Sequence, residues 1–142
     1  DGAIIAIPND PTNGGRGLML LERAGIIKLK AGLGMKATPK DIAENPKHVV
    51  IKELEAAQLP RGLQDVDAAA ITMNYVMSGG LDVKKQNIFL ESKDEPLAVM
   101  IIAARNKDKD KAEYKDFVKA YQSDSVRKFI ADKYKGTIEP AF

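Results

Sequence analysis

Apolar and polar positions along this chain fall into short blocks with two different periods. Residues 3–7 form a continuous apolar run bounded by polar turn residues, which predicts a strand buried on both faces. Leu18, Met19, Leu20, Leu21 and Ala24 are apolar over much of a helical circumference, so a buried helix is expected there, stopped by Gly25. Residues 26–30 alternate, and Gly32 and Gly34 mark loops. Thr38-Pro39-Lys40-Asp41 reads as a helix start: Thr as N-cap, Pro at the first helical position and an acid three residues on. That helix should end before Pro46. Residues 49–54 predict a second strand, and Leu59-Pro60-Arg61-Gly62-Leu63 opens a short helix. Ala68-Ala69-Ala70-Ile71 predicts a third strand whose small side chains permit close packing. Asn74-Tyr75-Val76-Met77 begins a short helix closed by Gly79-Gly80. Ile88-Phe89-Leu90 predicts a short strand, and residues 97–104 a long apolar one.

The end of the chain has a different pattern. Tyr114, Phe117, Val118 and Tyr121 recur at i, i+3, i+4 and i+7, an amphipathic helix. Ser123 caps a second, with Val126, Phe129, Ile130 and Tyr134 on one face. Strands alternating with helices through the first two thirds predict an α/β fold with a mostly parallel sheet. The expected organisation is an α/β lobe over residues 1–105 and a helical segment over 106–142.

Composition narrows the chemistry. The chain has 142 residues, 44% hydrophobic and 30% charged, the profile of one globular domain. A net charge of +2, with both signs interspersed, gives no electrostatic case for nucleic acid. The alternating run Asn106-Lys107-Asp108-Lys109-Asp110-Lys111 reads as a solvated turn. Without Cys there are no disulfides, thiolate nucleophiles or Cys-ligated metals, and His48, the single His, reads as a surface residue at a strand edge. No apolar run is long enough to span a bilayer and no segment has a signal-peptide pattern. The chain enters a strand directly after Asp1-Gly2, as a cut inside a larger protein would. Asp65 and Asp67 flank a turn without forming an acid/base pair, no Ser sits in a nucleophile elbow, and Gly14-Gly15-Arg16-Gly17 lacks the Gly-Lys-Ser/Thr ending of a P-loop. No catalytic residue, metal site or cofactor is therefore expected.

The candidate chemistry lies in Ile5-Ala6-Ile7-Pro8-Asn9-Asp10-Pro11-Thr12-Asn13-Gly14-Gly15-Arg16-Gly17-Leu18. Strand, polar turn and apolar helix follow one another, with Asn13, Gly14 and Gly15 at the expected helix start and Arg16 in its first turn. A helix N-terminus favours anions, so a cation there points to a bound carboxylate or phosphate held by Arg16 and free backbone N–H groups. The alternative is an exposed arginine, or one paired with Asp10. In open α/β sheets, ligands sit outside the carboxyl ends of strands. Here those ends carry residues 8–16 and Thr72-Met73-Asn74-Tyr75. Thr72 and Asn74 read equally as ligand contacts or helix caps, and Tyr75 as a core residue.

At this point the residues resemble a family. The stretch from Ile5 to Arg16 is similar to a signature of the NlpA/MetQ lipoproteins, the methionine-binding proteins of ABC importers. The resemblance continues through Asp41-Ile42-Ala43-Glu44-Asn45-Pro46-Lys47, then Glu53-Leu54-Glu55-Ala56-Ala57-Gln58-Leu59-Pro60-Arg61, and ends in Phe117-Val118-Lys119-Ala120-Tyr121-Gln122-Ser123-Asp124. It covers essentially the whole chain in order. It implies a type II periplasmic-binding-protein-like fold of two α/β lobes closing over an amino acid, of which this chain resembles the second lobe and the C-terminal segment. The other half would carry the lipid-modified Cys and the aromatic residues around the ligand side chain. Arg16 matches the family arginine that holds the ligand α-carboxylate. Two family asparagines fall at Thr72 and Val99 here, one replaced by a shorter hydroxyl and the other by an apolar group, with Asn74 the nearest amide. Loss of such polar contacts discriminates strongly against the original ligand.

Two readings follow. In the first, the chain is a binding lobe for methionine, a related amino acid or a short peptide, periplasmic or at the cell surface, lipid-anchored in its parent and recognised by an ABC permease. In the second, it is an interaction module whose apolar helix faces, lacking a partner, drive self-association, with a homodimer as the expected form.

Overall fold

Ile4–Pro8 (β1) is the middle of a three-stranded parallel sheet, between Val50–Leu54 (β4) and Ala68–Ala69 (β5). That position explains the unbroken apolar run, because Ile5, Ala6, Ile7 and Pro8 have no face left for water. Pro8 cannot donate to a ladder and ends the strand; the next amide, Asn9 N, donates to Leu54 O at 2.8 Å. The short β5 is extended by Asp67, whose N–H donates to Ile4 O at 2.9 Å while its carboxylate accepts from Ile4 N at 2.7 Å. A computed structural model of the protein describes residues 1–92 and 99–142. Their contacts form two compact units, Asp1–Leu90 and Glu91–Phe142.

Pro11–Arg23 (α1) lies on the sheet and buries Leu18 and Leu21 among Ile5, Ile7 and Ala70. Fully burying side chains such as Ile7, Leu18 and Leu59 stabilises the fold by about 1.5–3 kcal/mol each. Gly17 sets the approach: a Cβ there would stand 3.4 Å from Cβ atoms of both Ile7 and Ala70. The helix ends as its sequence predicts. Gly25, at φ +70°, donates to Glu22 O and Ile26 donates to Leu21 O, a Schellman motif.

The helix expected from Thr38 does not form. Its cap does: the Asp41 carboxylate accepts from Thr38 N at 3.1 Å and from Thr38 Oγ1 at 2.7 Å. The cap closes only a single 3-10 turn, Pro39–Asp41, after which Ile42–Glu44 (β3) pairs antiparallel with Lys28–Leu29 (β2). Pro46 would have ended any helix within about two turns, too few to outweigh ladder pairing.

Leu59–Gly62 (α2) and Met73–Ser78 (α3) form where expected. Val83–Gln86 (α4), capped by Asp82, is a turn of helix the apolar pattern does not announce. Ile88-Phe89-Leu90 is not a strand: it finds no ladder among the described residues, and Ile88 is 84% exposed. Of the strand expected over residues 97–104, the first two lie outside the described residues. Residues 99–104 have no regular structure, with Met100 93% and Ile101 82% exposed. An apolar run becomes a strand only beside another that satisfies its N–H and C=O groups.

In the second unit, Ala112–Tyr121 (α5) and Asp124–Tyr134 (α6) are amphipathic helices, and Ser123 Oγ accepts from Val126 N. Their aromatic faces remain open, with Phe117 and Phe129 more than half exposed. The charged run before them is a turn, but not wholly solvated. Asp108 is buried, gripped by Arg105 Nε at 2.6 Å and Lys111 Nζ at 2.8 Å.

Candidate functional site

The helix that carries the candidate residues begins earlier than the glycines suggest. Asp10 is its N-cap and Pro11 its first residue, so Gly14 is already inside the helix and Arg16 stands in the second turn. The anion at the N-terminus is the chain's own. Asp10 Oδ1 accepts from Asn13 N at 2.9 Å, and Asn13 Nδ2 donates to Oδ1 at 3.1 Å and Oδ2 at 3.0 Å. The Asn13 N–H, aided by other first-turn amides, holds the Asp10 carboxyl below its ordinary 3.8, against a smaller opposing effect of burial. Gly14 N donates to Asp10 O at 2.8 Å within the helix and is not available to a ligand.

The two glycines are explained by packing. A Cβ on Gly14 would stand 2.7 Å from the Pro8 carbonyl oxygen, and one on Gly15 would overlap the Met35 backbone. That second contact draws the 34–39 segment against α1. A cleft of about 180 Å³ opens between them, bordered by Asn9, Asp10, Gly14, Gly15, Lys36, Thr38 and Glu53. The sequence pattern marks Thr38 only as a helix cap and does not mark Lys36 or Glu53 as site residues; the Gly-Gly pair is the signal that a neighbour approaches α1 here, and it reads as close approach rather than as exposed amides.

Arg16 is half-buried and precedes Gly17, where α1 touches β1 and β5. Thr72 lies two residues beyond Ala70 on the same carboxyl-terminal edge. It is the N-cap residue of α3, and its carbonyl accepts from Tyr75 N at 2.9 Å and Val76 N at 3.1 Å. Its hydroxyl makes no capping bond, so that group is not consumed by the helix. Asn74 is inside α3 with an exposed side chain, and Tyr75 is half-buried. The sheet edge thus brings Asn13, Gly14, Gly15, Arg16 and Thr72 to one end of the first unit. Val99 belongs to the second unit and is 44% exposed. Among the described residues no group of His, Cys, Asp and Glu could hold a metal, and no helix is long and apolar enough to cross a membrane.

The family model for NlpA lipoprotein matches residues 1–142. The chain belongs to the NlpA lipoprotein family. It is 45% identical over 138 residues to a probable D-methionine-binding lipoprotein MetQ of Pasteurella multocida, covering 97% of this chain and 50% of that protein. A nutrient binding protein from Burkholderia cenocepacia bound to methionine matches with a TM-score of 0.86 at 48% identity, over 99% of this chain and 59% of that one. A periplasmic substrate-binding protein of an ABC transporter from Coxiella burnetii matches with a TM-score of 0.88 at 41% identity, over 99% and 58%. This NlpA-family chain has their α/β fold and spans about half the length of the curated relatives it matches.

Proposed function

We propose that this chain is one lobe of the substrate-binding protein of an ABC importer for methionine, a related amino acid or a short peptide, and that it binds without catalysing. The observation that carries the reading is the family match over residues 1–142 combined with Arg16 at the carboxyl-terminal sheet edge. Arg16 supplies a planar fork for the ligand carboxylate. Thr72 offers an unconsumed hydroxyl at the same edge. Asn13, Gly14 and Gly15 shape the wall by fixing α1 against its neighbours, Asn74 is the nearest side-chain amide to Thr72 in sequence, and Val99 stands at the second position where the family resemblance implies an asparagine. In the whole protein, residues 106–142 pack back on the other lobe, hinge closure traps the ligand, and the closed form engages a membrane permease. A lipid anchor at the periplasmic or outer surface fits the lipoprotein names of the relatives.

Thr72 and Val99 set specificity in this reading. Thermal shift of the full-length protein against all amino acids and a panel of methionyl and glycyl dipeptides tests it. A ligand with a free carboxylate is expected to raise the midpoint, and Thr72→Asn with Val99→Asn is expected to tighten methionine specifically. No shift with any carboxylate ligand would overturn the reading.

One observation favours a second reading. Phe117, Tyr121 and Phe129 are each at least half exposed, as are Met100 and Ile101. Faces of this kind support self-association of this chain when separated from the rest of its protein. Sedimentation over a concentration series tests that directly: a rising mass supports a dimer, and a constant monomer mass rejects it.

A further inference from the structure

We propose that Asn13–Gly14 is a masked deamidation site, held unreactive by the Asp10 cap. The sequence contains one Asn–Gly pair, and it is this one. Glycine leaves the following backbone nitrogen without side-chain shielding, which is why the pair is chemically labile in a flexible chain. The reaction is internal. The Gly14 nitrogen loses its proton and attacks Asn13 Cγ; a new N–Cγ bond forms, the Cγ–Nδ2 bond breaks, and ammonia leaves. Water then opens the five-membered imide at either carbonyl, giving aspartate or an isoaspartyl linkage. No oxidant or reductant is involved.

The fold blocks each participant through a single residue. The attacking nitrogen keeps its proton in a 2.8 Å bond to Asp10 O. The leaving amide is held by both Asp10 carboxylate oxygens at 3.0 and 3.1 Å. Asn13 N is tied to Oδ1 at 2.9 Å, which fixes the helical geometry and keeps nucleophile and carbonyl apart. Neither partner is easily replaced, since Gly14 has no room for a Cβ beneath the Pro8 carbonyl and the Asn13 side-chain amide adds two bonds to the Asp10 carboxylate. A labile pair is thus retained for packing and capping, and the same contacts that require it also protect it. Reaction at Asn13 would set a second carboxylate against that of Asp10 and undo the first turn of α1.

Peptide mass mapping with isoaspartyl methyltransferase labelling, on full-length protein in mildly alkaline buffer, reads the reaction at this site. Native protein is expected to react slowly at Asn13 and the urea-unfolded protein rapidly, with Asn13→Gln abolishing the signal. Asp10→Ala, confirmed folded by circular dichroism, is expected to react about fivefold faster than wild type, the opening that loss of an N-cap permits. Equal rates in native and unfolded wild type would overturn the proposal. So would a folded Asp10→Ala protein that reacts at the wild-type rate. Should Asp10→Ala not fold, Asp10→Ser, which keeps a capping oxygen but loses the pair that holds the Asn13 amide, is expected to react faster than wild type, and an unchanged rate in the folded Asp10→Ser protein would overturn the proposal.

Discussion

Asp10 connects the turn after β1 to the whole of α1. Removing its carboxylate in Asp10→Ala should cost about 1 kcal/mol, read as a lower urea midpoint with an unchanged slope. Among the described residues two carboxyls are held below the ordinary 3.8: Asp10, chiefly by the Asn13 N–H, and Asp41, chiefly by the Thr38 hydroxyl. A depressed folded value means each group stabilises the fold above its unfolded value. That contribution disappears as pH falls below 3.8 through the lowered folded values. Urea midpoints measured across that range should therefore fall less steeply in Asp10→Asn than in wild type. Gly15→Ala meets the Met35 backbone rather than a movable side chain, so it should cost at least about 1–3 kcal/mol and shift the 34–39 segment. At this scale Arg16 was legible as a candidate, whereas the role of the glycines was not. Spacing alone does not reveal whether a helix glycine exposes an amide or admits a neighbour.

Elements were legible where local signals and tertiary pairing agree. β1, the body and Schellman end of α1, β4 and α3 form as their patterns predict, because apolar runs and glycine stops point the same way, although α1 starts at Pro11 rather than at the glycines. The Thr38 segment shows the limit. Its capping signal was genuine, but the pairing of β3 with β2 decided what followed the first turn. His48 carries the opposite lesson, since nothing in its neighbours announces φ +53°. The turn exists because Asn45 clamps Val49 through both its amide oxygen and its amide nitrogen, each at 2.9 Å. His48 is exposed, so His48→Gly should relieve the left-handed backbone and stabilise by up to about 1 kcal/mol in thermal unfolding, leaving binding at the proposed site, beyond the opposite end of the sheet, unchanged.

Across the whole molecule, the apolar patterns predict strands at residues 88–90 and 97–104, yet residues 88–90 and the described part of the second run, 99–104, are exposed, as are the aromatic faces of α5 and α6. Pattern reports what a segment would bury, not whether its partner is present in the same chain. The curated relatives are about twice as long, and on the proposed reading these surfaces meet contacts supplied by the rest of such a protein. This chain alone should therefore bind a hydrophobic dye more strongly per mole than the full-length protein, as fluorescence titration would show; equal binding would count against that account. In the proposed function, Arg16 grips a ligand carboxylate. Calorimetric titration of the full-length protein and its Arg16→Ala variant with methionine, and with any ligand found by thermal shift, tests it most directly. The account predicts saturable binding weakened about thirtyfold or more in Arg16→Ala, the loss expected when one partner of a desolvated ion pair is removed. Undiminished binding by a folded Arg16→Ala protein would contradict it.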